Sequence, residues 1–333
     1  MQQTLSSAWY RKAWWLWLLW PLSLLYGALF AWQRRRALRR GRYQSKVPVI
    51  VVGNITAGGT GKTPLCIALA RHYTALGRKV VLVSRGYGGK ATQFPLLVTA
   101  ATDPREAGDE AVLLAIATHC TVVVDPDRVR AVRQAEQMQA QLIISDDGLQ
   151  HHRLQGSVEV LVIDGERGLG NGLLLPAGPL REPVRRLGSV DVVVSNGPLT
   201  HALPIEPKQA ATMQLAANSL TNLQTGEQLS IAEWQTRHGA ATRVHAVAGI
   251  GNPQRFFASL RGLGFVIMPH AFDDHHAFQP GDLAFAGQTP VVMTAKDAVK
   301  CRRFAQAQWW LLEVEALLTN NFFVAVDEKL RGN

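Results

Sequence analysis

Residues 53–64 read G-N-I-T-A-G-G-T-G-K-T-P, and this stretch limits what the chain can fold into more than any other. Residues 47–52, V-P-V-I-V-V, precede it as a short apolar run rich in β-branched side chains, as a buried parallel strand should be. Pro48 lies near the start of that strand, where a missing N–H is tolerated. Residues 63–76 have helical spacing. Strand, glycine loop and helix in this order form the context of a phosphate-binding loop. Glycines let successive backbone N–H groups turn inward around an anion, and the helix N-terminus adds the positive end of its dipole. Lys62 is placed to reach β- and γ-phosphates and Thr63 to put its hydroxyl on Mg²⁺. Thr56, Ala57, Gly58, Gly59, Thr60 and Gly61 complete the cradle. The usual G-x-x-x-x-G-K-[ST] pattern has a glycine where Thr56 stands, and Gly58 and Gly59 fall inside the loop instead. An ordinary glycine-rich turn would leave Lys62 unexplained.

Charge is divided unevenly along the 333 residues, a length that can hold two domains. No Asp or Glu precedes Asp103, whereas the same stretch carries 15 Lys and Arg. The N-terminal third therefore faces anions. No nucleic-acid module is recognisable, so nucleotide phosphates and anionic lipid headgroups account for the charge better than nucleic acid does. Cys66, Cys120 and Cys301 show no metal-type spacing and read as buried thiols in a reducing compartment.

Residues 13–32 carry no formal charge, and six of the nine tryptophans lie at or before Trp32. As a helix, such a run spans about 30 Å, roughly one hydrocarbon core. Tryptophans at both ends suit the headgroup level, and Pro21 would kink the helix. Arg34, Arg35, Arg36, Arg39, Arg40, Arg42 and Lys46 follow, against only Arg11 and Lys12 ahead. A helix spanning the bilayer would leave the body in the cytoplasm, and one lying flat would grip anionic lipid with its basic tail. Both arrangements stay open. A cleaved signal peptide fits poorly, because the basic block follows the apolar run. A buried core helix is the remaining bland reading.

Further along, residues 79–84 form a strand that ends at R-G-Y-G-G. Strand C-termini line the crevice of an open α/β sheet, which makes Arg85 and Tyr87 candidates for substrate contact beside the plainer reading of a solvated turn. Gly108, Asp109 and Glu110 open a helical stretch, where acidic residues also serve as ordinary cap chemistry. Strands are expected over 121–124, 159–164 and 191–195, with a helix over 128–139. Residues 142–152 read L-I-I-S-D-D-G-L-Q-H-H, an apolar strand ending in Asp146 and Asp147, as in an element that holds Mg²⁺ directly or through water. His151 and His152 are weaker ligands for that ion, which prefers oxygen. The loop L-L-L-P-A-G-P-L-R-E delivers Arg181 and Glu182 to a defined place that spacing alone does not identify.

Residues 198–234 are polar, with a hairpin expected around 222–226, and the α/β rhythm resumes from Arg243. Strands are expected over 244–247, 265–268, 290–294 and 309–314, with a helix over 253–263. F-D-D-H-H-A-F at 272–278 is a compact His/Asp cluster, either catalytic or a solvated cap. T-A-K-D at 294–297 loosely matches the base-reading N-K-x-D of GTPases, and Lys296 and Asp297 could equally cap the next helix.

Taken in order, V-G-N-I-T-A-G-G-T-G-K-T-P, S-R-G-Y-G-G, G-D-E, D-D-G-L-Q-H-H, L-P-A-G-P-L-R-E, F-D-D-H-H-A-F and T-A-K-D-A-V-K resemble the tetraacyldisaccharide 4′-kinases, the lipid A 4′-kinases, from the N-terminal apolar segment to about Cys301. Leu149 replaces a phenylalanine of the family's D-D-G-F-Q, a chemically mild change, and Thr56 is typical of the family. The resemblance implies an α/β fold: a P-loop NTPase-like parallel sheet domain, a second, smaller α/β domain and an N-terminal membrane-associated helix. The expected division is 1–46 for the anchoring helix and basic segment, 47–197 for the kinase domain, 198–240 for a β-ribbon linker and 241–333 for the smaller domain. It further implies transfer of the γ-phosphate of ATP to the 4′-hydroxyl of a tetraacylated glucosamine disaccharide 1-phosphate, giving lipid IVA, at the cytoplasmic face of the bacterial inner membrane. The partners are the lipid substrate and the membrane surface, with no nucleic acid and no obligate protein.

By the same resemblance Lys62 holds phosphates, Thr63 holds Mg²⁺, and Asp146, Asp147 and Glu182 arrange the metal and its waters. Asp109 matches the catalytic carboxylate, with His275 as its partner and His276 the less favoured neighbour. Arg85, Tyr87, Glu110 and Arg181 would face substrate. The competing class is a membrane-tethered P-loop ATPase or GTPase switch acting on a protein partner, which would hydrolyse nucleotide without a lipid acceptor. A non-catalytic tethered binding protein is a third, and would have no need of Asp146 and Asp147.

Overall fold

The computed structural model describes residues 2–239, 242–319 and 321–332. The chain forms two compact units, Met1–Arg85, Cys120–Gln214 and Leu317–Asn333 in one, and Gly86–His119 with Leu215–Ala316 in the other.

In the first unit β1 (Val49–Gly53), β2 (Val80–Ser84), β3 (Thr121–Val124), β4 (Leu142–Ser145), β5 (Val158–Asp164) and β6 (Val192–Asn196) are almost wholly buried, as continuous Val/Ile/Leu runs in a parallel sheet must be. The order is β6-β5-β1-β4-β2-β3, every pair parallel. Residues Ala210 to Met213, at the start of β7 (Ala210–Asn222), add one more parallel strand beside β6. β1 lies between β4 and β5, where the winding reverses, and such a switch point opens the crevice that α/β folds use for ligands. Val51, Val83, Ile143, Leu161 and Val193 share one core with Val132 and Ala135 of the helix Arg128–Gln137.

Helix Asn321–Arg331 also belongs to this unit and was not anticipated. Phe322, Ala325 and Val326 bury its apolar face, Phe323 stacks on His72 at 3.9 Å, and Asp327 Oδ1 accepts from the Tyr73 hydroxyl at 2.9 Å.

The N-terminal segment forms helix Gln2–Arg11, a 3₁₀ stretch Trp14–Leu19 and helix Trp20–Arg39. Pro21 falls in the first turn of that last helix, where its missing N–H has no partner to lose, so the expected kink is absent. One face is fixed to the loop over residues 171–181. Ser23 Oγ donates to Leu174 O at 2.8 Å and accepts from Ala177 N at 3.0 Å. Tyr26 donates to Arg181 O at 3.0 Å, and Trp9 Nε1 to Pro176 O at 2.9 Å. The other face is open, with Trp14 78%, Trp17 64% and Leu18 73% exposed. Trp14–Arg39 is long and apolar enough to cross a membrane by length and composition.

The second unit holds β9 (Arg243–Ala248), β10 (Val266–Ala271), β11 (Val291–Met293) and β12 (Trp309–Leu318), preceded in the chain by β8 (Gln228–Ser230). The order β10-β9-β11-β12 is parallel, and β8 returns antiparallel on the second half of β7 as the expected hairpin. Trp234, Val244, Phe257, Val292 and Trp310 build the core. Trp234 rides on helix Ile231–His238, started by a Ser230/Glu233 capping box.

The two compact units divide the chain at other positions than the expected domain limits, the second resuming at Leu215 inside the expected linker. Residues 86–119 were assigned to the kinase domain 47–197, yet they pack in the second unit, where helix Asp109–Thr118 lies against helix Ala295–Cys301. The last residues, 317–333, return to the first unit instead of closing the smaller domain. The expected boundary at 240/241 lies outside the described residues.

Candidate active site

β1 ends at Gly53 and releases the glycine loop, which is braced from three directions. Asn54 Nδ2 donates to Thr56 O at 2.9 Å and Gly58 O at 3.3 Å. Asn196, at the end of β6, donates through Nδ2 to Thr60 O at 3.0 Å. Ala57 N donates to Pro179 O and Arg181 N to Ile55 O, both at 2.7 Å. Gly61 has φ 98°, and a Cβ there would sit 2.5 Å from Asn196 Nδ2, so the last turn before Lys62 requires glycine twice over. Helix Lys62–Ala75 starts at once after it and aims its N-terminus at the loop.

Lys62 and Thr63 sit in the first turn of that helix, with Thr63 buried. Lys62 Nζ is 3.2 Å from Asp147 Oδ1, and Arg181 Nη1 is 3.7 Å from Asp147 Oδ2. Burial pushes the Asp147 carboxyl up, but Lys62 and Arg181 outweigh it and hold the pKa below the usual carboxylate range. Asp147 has φ 49°, in the left-handed region that Asp tolerates better than most residues. Asp146 is buried, and its carbonyl accepts from Arg128 Nη2 at 2.8 Å. Glu182 is buried too, accepting from Gln150 Nε2 at 2.7 Å with Arg186 at 3.5 Å, and burial keeps its pKa raised. Gln150 also donates to Asn54 O at 2.9 Å, so one amide ties Glu182 to the loop.

The described residues contain no cluster of three or more carboxylates, histidines or cysteines able to hold a metal alone. Asp146, Asp147 and Glu182 are thus not assembled into a ready cage. The donors nevertheless suit Mg²⁺, a hard ion that takes one or two carboxylates and fills the rest of its shell with water and phosphate oxygens. Thr63 and Asp146 supply oxygen only, and the buried Thr60 Oγ1 and Ser145 Oγ beside them have no hydrogen-bond partner, as in a site shaped for a polar ligand.

Arg128 escaped the sequence reading. It is fully buried at the start of its helix, with Nη1 on Asp125 O at 3.1 Å. Burial pulls its pKa down to about 10, with Asp146 and Asp147 opposing. The only sequence signal was its place after D-P-D at the end of a strand. Arg85, Arg128 and Arg181 line a cleft of about 730 Å³, and Tyr26 and Phe30 of the N-terminal helix form its apolar wall. His151 lies in the same cleft, where burial first and then Arg128 and Arg85 drive its pKa down to about 4, leaving it neutral.

In the second unit Asp109 begins helix Asp109–Thr118, is 6% exposed, and meets His275 Nδ1 through Oδ2 at 3.1 Å. Burial pushes Asp109 up, and the bond from His275 together with the Lys296 charge more than reverses it. The same bond raises His275 against its own burial. His276 bonds Asp282 at 2.9 Å, so His275 is the histidine that meets Asp109 here. Tyr87 leans its ring against His275 at a tilt of 56°, centroids 5.0 Å apart, so it walls that histidine in addition to being exposed. Gly108 has φ 87°, and a Cβ there would lie 2.4 Å from Tyr87 O. The R-G-Y-G-G turn is therefore what seats Asp109. Glu110, expected to face substrate, is bonded to Lys296. Asp297 accepts from Gly249 N at 2.9 Å and from Thr294 Oγ1 at 2.6 Å, contacts that hold the first turn of helix Ala295–Cys301.

Three comparisons bear on this arrangement. The family described as Tetraacyldisaccharide-1-P 4′-kinase matches residues 15–331. A tetraacyldisaccharide 4′-kinase of Alcanivorax borkumensis is 48% identical over 96% of this chain and 94% of its own. One from Pseudomonas aeruginosa is 44% identical over 98% of this chain and 97% of its own. Among solved structures, LpxK from Aquifex aeolicus in complex with ATP superposes with a TM-score of 0.76 and 25% identity, covering 95% of this chain and 99% of that one.

Proposed function

The chain belongs to the tetraacyldisaccharide 4′-kinase family, and from that premise we propose how its own residues carry the reaction. It binds ATP and phosphorylates the 4′-hydroxyl of a tetraacyldisaccharide 1-phosphate. The Asp109–His275 pair supports this reading most directly, because a nucleotide switch has no need of a carboxylate held anionic by a histidine.

A sugar hydroxyl is far too weak an acid to ionise beforehand. Asp109 accepts its proton as the new O–P bond forms, and His275, bonded to the other side of that carboxylate, fixes its direction. Glu110 N donates to Asp109 Oδ1 at 2.9 Å, which restricts the carboxylate further. Lys62 and the loop N–H groups take the charge that spreads over the transferring phosphoryl oxygens, and with phosphate bound Lys62 exchanges Asp147 for the nucleotide. Thr63 and Asp146 would hold Mg²⁺, with Asp147 and Glu182 ordering its waters. When bound, that ion supplies neutralisation of phosphate charge.

Arg85, Arg128 and Arg181 form the anion-binding floor of the substrate cleft, with acyl chains following the wall made by Tyr26 and Phe30. The N-terminal helix lies in the membrane interface. Its inner face is tied to the body by Ser23 and Tyr26, and the outward Trp and Leu side chains enter the cytoplasmic leaflet while the arginines beyond Gln33 meet its anionic headgroups. The bonds along one side of this helix support lying in the interface over spanning. The test is transfer of label from ATP to the dispersed lipid disaccharide. Label released as phosphate at the same rate without the lipid would favour the switch.

A further inference from the structure

Asp109 and Glu110 are consecutive acids in the first turn of one helix, and only Asp109 has a role in the chemistry above. Two adjacent carboxylates in a partly desolvated site repel, and the usual outcome is that one holds a proton. Lys296 answers this from the neighbouring helix Ala295–Cys301, where its ammonium is bonded to Glu110 Oε1. Thr294 caps that helix, and Asp297, held by Gly249 N and paired with Lys300 at 2.9 Å, fixes it to the unit's core. Lys296 is thus presented from a rigid element.

We propose that Lys296 is a positioning residue for phosphoryl transfer: clamped on Glu110, it cancels that charge beside Asp109, so that Asp109 keeps the setting His275 gives it and stays an open proton acceptor. The inference rests on the reading of Asp109 as the base. The charged groups that face Asp109 are His275 from the loop before Phe278, Lys296 and Lys300 from the helix, and the adjacent Glu110 on its own helix, while Asp274 faces His275 and Lys296. Burial works against the charge on Lys296, but Glu110 and then Asp109 more than compensate, so Lys296 stays cationic across the working range. Losing it leaves Glu110 next to Asp109 without its cation.

The experiment is the pH profile of kcat/KM for the full chain on detergent-dispersed disaccharide. Lys296→Met is expected to move the acidic limb up by about one pH unit or more, the usual effect of deleting a close opposite charge. Activity on the alkaline plateau should stay within about threefold of the parent protein. Lys296→Arg should keep the parent limb, and Glu110→Gln combined with Lys296→Met should bring the limb back. Ionisation of ATP is common to every variant and drops out of the comparison. A loss in Lys296→Met by the same factor at every pH, or no recovery in the double variant, overturns the proposal. Should Lys296→Met fail to fold, Glu110→Gln alone decides, by a limb that moves to lower pH or an unmoved one that sinks the idea. Asp109→Ala separates the two levels: undiminished turnover there removes the base itself, whereas a large loss there with a flat Lys296→Met response removes only the positioning role.

Discussion

His275 Nδ1 lies 3.1 Å from Asp109 Oδ2, and His275 reaches it with a backbone at φ 62°, in the left-handed region. A non-glycine residue there costs on the order of 1–3 kcal/mol, and such positions gather where function sets the geometry. Asp109→Ala is expected to lower kcat by about 10²–10⁴, the worth of a general base, while KM for ATP changes little. Steady-state kinetics on dispersed lipid measures both, and unchanged kcat would remove Asp109 from the mechanism.

The same pair makes stability depend on pH. Asp109 titrates below its ordinary 3.8, so its contribution is present above that value and fades as pH falls through the depressed pKa. His275 titrates above 6.5, so its contribution is complete below that value and fades as pH rises through the raised pKa. The difference in Tm between the parent protein and His275→Asn should therefore be largest near pH 5–6 and shrink by pH 9. A constant difference across that range would mean the two side chains are not a charge pair.

Lys62→Ala should reduce kcat by about 10³ or more, because Lys62 meets charge that exists only as phosphate transfers. Its loss also leaves Asp147 with Arg181 as its nearest cation. Thermal shift should then show weaker stabilisation by ATP. A variant with parental kcat and raised KM would assign Lys62 to ground-state binding only.

Gly108→Ala is expected to destabilise the second unit by about 1–3 kcal/mol, from a strained φ and a Cβ forced onto the Tyr87 carbonyl. Activity should fall further than stability does, since Asp109 is the next residue. Denaturant unfolding and kcat on the same preparation check the ratio.

Trp14→Gln, Trp17→Gln and Leu18→Gln together should abolish flotation with vesicles containing anionic lipid and spare kcat on detergent-dispersed substrate. These side chains face outward and support nothing inside the unit. Full vesicle binding by the triple variant would place the contact elsewhere.

Local pattern carried the sequence reading far where chemistry is local. The glycine loop, its flanking strand and helix, and the Asp146/Asp147 strand end all follow from period and turn residues. What escaped depends on partners distant in the chain. Arg128 looked like any helix-opening arginine until Asp125 and Asp146 surrounded it. Glu110 looked free to face substrate because nothing near it in sequence announces Lys296. Residues 86–119 were assigned by adjacency, whereas packing against helix Ala295–Cys301 decides their place. Helix Ile231–His238 was legible through Ser230 and Glu233, and the polar composition around them hid it. Pro21 was read as a kink because the start of its helix was set too early.

The loop over residues 171–181 bonds Ser23 and Tyr26 on one side and the backbone of Ile55 and Ala57 on the other. The N-terminal helix is consequently not an interchangeable handle. A foreign lipid tail or transmembrane peptide grafted ahead of the cradle would deliver the enzyme to a bilayer, yet leave Leu174 and Ala177 without the hydroxyl that spans them. Soluble versions made by trimming the tryptophans are better sought by recolouring the outer face than by cutting the helix away.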